Sequence, residues 1–214
     1  YFKTDDLKKC SRFWIILFKT ILSKLYHWKI YVVGSVEYQY PNHLFQAGYF
    51  LDKKYYDENT IDFKHLLLSE KNQSLLKDIQ NSNSVGVHIR RGDYMTKQNL
   101  VIFGNICTQK YYHDAIRIIT EKVNDAVFYV FSDDISWVQT HLDIPNAVYV
   151  NWNTGESSIY DMYLMSSCKY NIIANSTFSY WAARLNKKTN MVIYPSKWYN
   201  TFTPDIFPES WCGI

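Results

Sequence analysis

Arg90 and Arg91 stand side by side in a chain that has only five arginines against eighteen lysines. An arginine fork grips phosphate oxygens at two points, whereas lysine offers a single charge, so the pair points to a phosphate-bearing ligand. A surface pair bridged to acidic neighbours is the plain alternative. The two arginines follow the β-branched run Val85-Gly86-Val87-His88-Ile89 and precede Gly92 and Asp93. Two other runs of this kind also end in polar residues. Ala126 to Phe131 leads into Ser132, Asp133 and Asp134, and Tyr170 to Ala174 leads into Asn175, Ser176, Thr177, Phe178 and Ser179. The last of these opens a helical pattern, Tyr180 to Leu185, whose first free N–H groups and dipole attract an anion. An ordinary Ser/Thr cap would have the same sequence. Arg90 and this helix start together can hold a diphosphate without a metal. Asp133 is suited to accept N–H donors from a purine such as guanine, and Asp134 to cap the helix that follows.

No metal is expected at Asp133 and Asp134, because neighbouring strand side chains point to opposite faces and no His or Glu follows at ligand spacing. The sequence contains no G-x-S-x-G, no P-loop and no G-x-G-x-x-G, which removes the mechanical parts of hydrolase, NTPase and dehydrogenase readings.

The elements that would position these residues alternate. Strand patterns at 85–90, 126–131, 147–150, 170–175 and 191–194 are separated by helical patterns opening at Thr108, Asp134, Ser157 and Ser176. Strand, helix, strand, repeated, predicts an α/β fold with a parallel sheet of Rossmann type. In such a sheet ligands bind beyond the carboxyl ends of the strands, where the polar endings would converge. A further helix, capped by Ser69 and carrying Leu75, Leu76 and Ile79, ends at the turn Asn81 to Ser84. The reading places a boundary there, with residues 1–83 as one domain and 84–214 as another. Residues 7–25 read as helical and 30–33 as a short strand.

Composition sets outer limits. At 214 residues and 47% hydrophobic the chain can bury a core without disulfides or metal. A net charge of +3 is too small for a dedicated nucleic-acid binder. Cys10, Cys107, Cys168 and Cys212 are widely spaced, as expected of reduced thiols. The apolar stretch Phe13 to Leu22 is half the length of a membrane span and is interrupted by Lys19. Lys8, Lys9, Lys19, Lys24 and Lys29 suit either a solvated helix face or peripheral contact with anionic lipid.

Four ordered blocks carry a family resemblance. Val87-His88-Ile89-Arg90-Arg91-Gly92-Asp93-Tyr94 resembles the H-x-R-R-x-D motif of the α-1,2-fucosyltransferases, glycosyltransferase family eleven. Tyr129 to Asp134, Asp161 to Cys168 and Ile172 to Ser179 agree with further blocks of that family, in order. A weaker stretch, Phe45 to Phe50 with Tyr55 and Tyr56, extends the similarity to residues 45–200. The resemblance implies a GT-B arrangement with an acceptor-side N-terminal domain and a nucleotide-binding C-terminal domain. It implies inverting transfer of L-fucose from GDP-β-L-fucose to O2 of a terminal β-galactose, with no metal cofactor. Carried over, Arg90 steadies the leaving diphosphate, with Arg91 second. His88 lines the donor pocket, Asp133 reads guanine, and Ser176, Thr177, Phe178 and Ser179 form the phosphate-side loop. The base is not obvious: Asp93 belongs to the motif and is counted with Arg90 as catalytic, yet suits locking the turn after the strand by bonding backbone N–H groups, and Glu156 and Asp161 are alternative bases.

The sequence departs from the family in lacking its opening G-G-L-G-N-Q turn, so an upstream segment is expected and the chain reads as part of a longer enzyme. Tyr170 and Tyr180 stand where the family usually has His and Trp. The competing readings are a non-catalytic nucleotide- or glycan-binding module and an inactive fragment of the enzyme. The expected setting is bacterial, cytoplasmic or peripheral to a membrane, or the Golgi membrane if an upstream anchor belongs to the protein. No nucleic-acid partner is expected.

Overall fold

The structure is a computed structural model that describes residues 62, 63 and 66–214, together with two short strands, β1 at Tyr31–Val33 and β2 at Phe45–Ala47. The predicted helix at 7–25 lies outside the described residues, and the strand expected at 30–33 is β1. Strands β1 and β2 pair in parallel. The chain divides into two compact units, Phe2–Asp62 with Pro204–Ile206, and Phe63–Thr203 with Phe207–Ile214.

The second unit is a parallel α/β domain, as the alternating sequence pattern predicts. Its elements run α1 (Glu70–Asn81), β3 (Asn83–Ile89), α2 (Lys97–Phe103), α3 (Gln109–Lys122), β4 (Ala126–Ser132), α4 (Ile135–His141), β5 (Ala147–Val150), α5 (Ser158–Ser166), β6 (Tyr170–Ile172), α6 (Thr177–Arg184), β7 (Met191–Tyr194) and β8 (Cys212–Gly213). The sheet order is β5-β4-β3-β6-β7-β8, with every neighbouring pair parallel. The chain therefore builds outward from β3 in one direction, returns, and builds outward from β6 in the other. That makes the gap beyond β3 and β6 the topological switch point, where a parallel sheet leaves room for a ligand.

Strand alternation sorts the core into two layers. Val85, Val87, Ile89, Phe128 and Val130 bury against α3 and α4, meeting Tyr112, Ile116, Ile119 and Val138. Tyr129, Phe131, Ile173 and Val192 face the other side, with Leu75 and Ile79 of α1, Leu164 and Met165 of α5, and Ala182 and Ala183 of α6. Helix α1 thus packs with the sheet unit, and the division between the two compact units falls near residue 62. The helices start where polar side chains meet free N–H groups: Ser69, Thr96, Thr108 and Asp134 cap α1 to α4. Helix α2 was not anticipated, although Thr96 accepting from the Asn99 N–H is the signal that marks it.

Gly86 lets α5 lie close to the central strand. A Cβ there would sit 2.9 Å from Asn171 Nδ2 and 3.0 Å from Met165 Cγ. Asn171 cannot move aside easily, because it donates to Met165 O and accepts from Asn186 Nδ2 in a fully buried position. Gly86→Val should therefore lower stability by about 1–3 kcal/mol, the usual cost of overpacking, read as a lower urea midpoint.

Candidate active site

The end of β3 is organised around Arg90. Its Nη1 meets Asp133 Oδ2 at 2.8 Å and its Nη2 meets Asp93 Oδ1 at 2.6 Å, so two carboxylates from different segments fix the guanidinium plane. Asp133 is itself held by the Arg91 backbone N–H, which donates to Oδ1 at 2.9 Å. Gly92 allows this close approach, since a Cβ there would lie 2.5 Å from Asp133 Oδ2. The Arg91 side chain turns to the other side of the sheet. It stacks over the Trp137 ring at 3.7 Å and pairs with Asp134, which caps α4 through the Trp137 N–H. Asp134 thus takes the capping role expected of it.

Hydroxyls brace the same strand ends from behind. Tyr112 donates to His88 O at 3.1 Å, Tyr111 to Ile173 O at 2.6 Å and Tyr94 to Asn175 O at 2.9 Å. Asn175 donates to Phe103 O and Trp198 O, tying α2 and the segment after β7 to the end of β6. Buried carbonyls just past the strands are satisfied in this way, which keeps the rim rigid.

A cavity of about 580 Å³ opens at the switch point, on the side of α5 and α6. His88, Arg90, Asp133, Phe178 and Asp161 line it. His88 is 5% exposed, its ring lies 4.9 Å from that of Phe178, and its Nδ1 finds no partner among the described residues. Burial, reinforced by Arg90, holds its pKa down to about 3, so the ring is neutral. Asp161 sits on α5 with Oδ1 accepting from Asn153 Nδ2 at 2.7 Å. Burial pushes its pKa up to about 7, partly offset by that N–H.

A second, smaller cavity of about 260 Å³ lies on the α3 and α4 side, lined by Arg90 with Tyr94, Phe103, Cys107 and Trp137. Arg90 is therefore the residue shared by both cavities.

Residues 12–214 match Glycosyl transferase family 11. The chain belongs to that family. Similar proteins include an alpha-1,2-colitosyltransferase of Escherichia coli, 35% identical over 196 residues, covering 85% of this chain and 63% of that relative. The O-antigen biosynthesis glycosyltransferase WbnK of Escherichia coli is 44% identical over 122 residues, covering 56% of this chain and 40% of its own length. The galactoside alpha-(1,2)-fucosyltransferase 2 of Pongo pygmaeus is 28% identical, covering 70% and 48%. The chain thus spans 40–63% of the length of these curated relatives. Among solved structures, a NodZ alpha-1,6-fucosyltransferase soaked with GDP-fucose aligns with a TM-score of 0.38 at 18% identity, over 59% of this chain and 44% of the other.

The family's four blocks fall at the ends of β3, β4 and β6 and on α5, and the structure brings His88, Arg90, Asp133, Phe178 and Asp161 to one cavity. Other expected residues lie elsewhere. Arg91 serves the second cavity, and the Asp93 carboxylate takes an Arg90 N–H and is 57% exposed. Ser176 is the residue before α6 and is buried, while Thr177 and Phe178 open the helix. Ser179 is also buried, and its hydroxyl bonds Ala174 and Ser176, which shapes the turn instead of facing the cavity. Glu156 lies in a short turn, Gly155–Ser157, where it is exposed. Tyr180 is buried against Trp181, Trp198, Phe207 and Trp211, so its ring fills a packing position. Both oxygens of Asp133 are engaged within the chain, whereas Asp161 keeps lone pairs toward the cavity. Among the described residues no group of three His, Cys, Asp or Glu side chains could hold a metal ion.

The environment of Asp161 fixes the sign of a pH effect. Its pKa is raised on folding from 3.8 to about 7, so the folded state binds the proton more tightly. The stabilisation is complete below about pH 4 and disappears as pH rises through 7. The melting temperature of the unsubstituted chain should fall relative to that of Asp161→Asn between pH 5 and pH 8. Parallel melting curves across that range would contradict this.

Proposed function

We propose that this chain supplies the donor-binding half of an inverting glycosyltransferase that moves L-fucose from GDP-β-L-fucose to O2 of a terminal β-galactose. The observation that carries the reading is one cavity at the switch point lined by a pre-oriented arginine and by a carboxylate, Asp161, held through one oxygen only. Arg90 donates to Asp93 and is ion-paired with Asp133, which aims the fork and leaves its other N–H groups for a phosphate. The first turn of α6 adds N–H groups that have no acceptor within the helix. Two arginines stand against three carboxylates here, so the site attracts a diphosphate through directed bonds, not through a net positive field. These donors stabilise the charge that grows on the leaving diphosphate, and no metal is needed for it.

Asp161, in the place expected for Asp133, reads the base. Above about pH 7, where it is ionised, this carboxylate accepts the two adjacent N–H groups on guanine's pairing edge, which uracil cannot offer together. The neutral His88 ring packs beside Phe178 on the same wall of the cavity. Asp133 then acts through Arg90, and Asp93 holds the same fork from the solvent side, which leaves it close to the transferred group as a candidate base. The GT-B pairing with an acceptor-side domain belongs to the same proposal. So does a bacterial setting with a glycan acceptor near a membrane surface; no helix among the described residues is long and apolar enough to cross one.

A second reading keeps the chemistry and changes the sugar. The 35% identical relative is a colitosyltransferase, and colitose is fucose without its 3-hydroxyl, so a GDP-linked 3,6-dideoxyhexose is the alternative donor. Side-by-side transfer assays with the two donors on a β-galactoside decide between them.

GDP binding is tested first by thermal shift. At about 100 times Kd the linkage gain is about 2.7 kcal/mol, which for a chain of this size raises the melting temperature by about 5–10 °C. GDP should produce that shift and UDP should not. Arg90→Ala should abolish the shift while leaving the fold intact, and Arg90→Lys should not restore it. An equal shift with UDP would contradict the assignment of Asp161.

A further inference from the structure

Asp161 is not held by a single hydrogen bond but by the end of a chain of them. Trp152 Nε1 donates to Asn72 Oδ1 at 2.7 Å. Asn72 and Asn153 form a reciprocal amide pair, with Asn72 Nδ2 to Asn153 Oδ1 at 3.0 Å and Asn153 Nδ2 to Asn72 Oδ1 at 3.1 Å. The other N–H of Asn153 donates to Asp161 Oδ1 at 2.7 Å. Asn72 is 1% exposed, so its amide has no water to fall back on.

Amide oxygen and nitrogen are nearly alike in shape, yet here chemistry leaves one assignment. An indole N–H can only donate, so the Asn72 atom facing Trp152 must be the oxygen. That oxygen can accept from Asn153 only if the facing atom there is nitrogen, which sets the second amide. Asn153 must then present an N–H, never a carbonyl, to Asp161. Oδ1 of Asp161 is thereby fixed as an acceptor, and any proton on this carboxyl resides on Oδ2. Lys71 Nζ, 3.7 Å above the Trp152 ring, helps to keep the indole in place.

We propose that Trp152, Asn72 and Asn153 are positioning residues that, through this one-way chain, hold the Asp161 carboxylate in the orientation and acceptor state that selects the donor's base. The proposal rests on the reading of Asp161 given above and extends it. Asn72 and Trp152 lie outside the lining of the cavity, whereas Asn153 stands on its wall beside Asp161, so Trp152→Phe is the variant that acts from a distance. The chain spans three segments, with Asn72 on α1, Trp152 and Asn153 between β5 and α5, and Asp161 on α5. It therefore couples the placement of the loop after β5 to the reading head. Reversing one amide anywhere along it would turn a carbonyl toward Asp161, and the carboxyl could then meet its neighbour only by holding a proton.

The test uses the difference between GDP and inosine diphosphate, which lacks the exocyclic amine of guanine and is otherwise the same ligand. Affinities of both are measured by calorimetry on the unsubstituted chain, on Trp152→Phe and on Asn153→Asp. Trp152→Phe keeps an aromatic ring under Lys71 but removes the donor that holds Asn72 Oδ1 from the far end of the chain of bonds. Asn153→Asp keeps the size but offers oxygen to Asp161. The unsubstituted chain should prefer GDP by about tenfold, the value of one hydrogen bond to a charged acceptor. Both variants should bring the preference to within about twofold, with melting temperatures in the absence of nucleotide showing that each still folds. A loss confined to overall affinity would make these residues merely structural and overturn the proposal. A tenfold preference that survives both substitutions overturns it too, while leaving the donor site standing. Equal binding of GDP and inosine diphosphate to the unsubstituted chain overturns the assignment of Asp161 itself and the relay with it.

Discussion

An arginine held between two carboxylates at the end of the central strand is the constraint around which this domain is arranged. Arg90 cannot be aimed by its own strand, because a long side chain has many rotamers and the residue stands just past the last ladder position of β3. Asp133 supplies the aim from the end of β4, and Asp93 from the turn after β3. For Asp133 to reach, β3 and β4 must be in register over their whole length, and Gly92 must leave room for its carboxylate. The Arg91 main chain closes the same loop by donating to Asp133, and its side chain leaves for Trp137 and Asp134 on the far face. Two adjacent arginines thus do different work because a strand end presents them to opposite sides of the sheet.

From that point the rest of the fold follows as support. The sheet order puts β3 beside β6, so the arginine faces the start of α6 across the switch point. Three tyrosine hydroxyls on main-chain carbonyls stop the rim from loosening, and Asn175 ties it to segments far away in sequence. On the α5 side the small residues Ser84 and Gly86 let a helix come close enough to carry Asp161 to the cavity wall, while Ser84 also accepts the Lys169 N–H. One face of β3 is built for packing and the other for approach.

Much of this was legible in the sequence. Alternating β-branched runs and capped amphipathic stretches identify the parallel sheet, since both periods are written locally. The polar strand endings at Arg90, Asp133 and Asn175 mark the edge where the candidate site lies, because in a parallel sheet all carboxyl ends lie together. What the sequence does not carry is which lone pairs remain open. Asp133 has the residue type for reading a base, but both of its oxygens are taken by Arg90 and by a main-chain N–H, a fact set by register. Asp161 stands in the sequence only as one of several candidate bases, and its burial and its bond to Asn153 are what set it apart. The asparagine pair joins residues 81 positions apart, and nothing in either local pattern signals it. Strand β8, two residues long, has no period to read at all. Ser179 carried the right chemistry for a phosphate loop and is instead turned inward by the close of the β6 to α6 turn.

If Arg90 and Asp161 grip the two ends of one nucleoside diphosphate, as proposed, a crystal structure of the chain with GDP will show both contacts. The diphosphate should lie within hydrogen-bonding distance of the Arg90 fork and the first turn of α6. The guanine edge should lie against the Asp161 carboxylate, with the amides of Asn72 and Asn153 unmoved. GDP seated in the smaller cavity beside Tyr94 and Phe103, or with its base away from Asp161, would contradict the proposal.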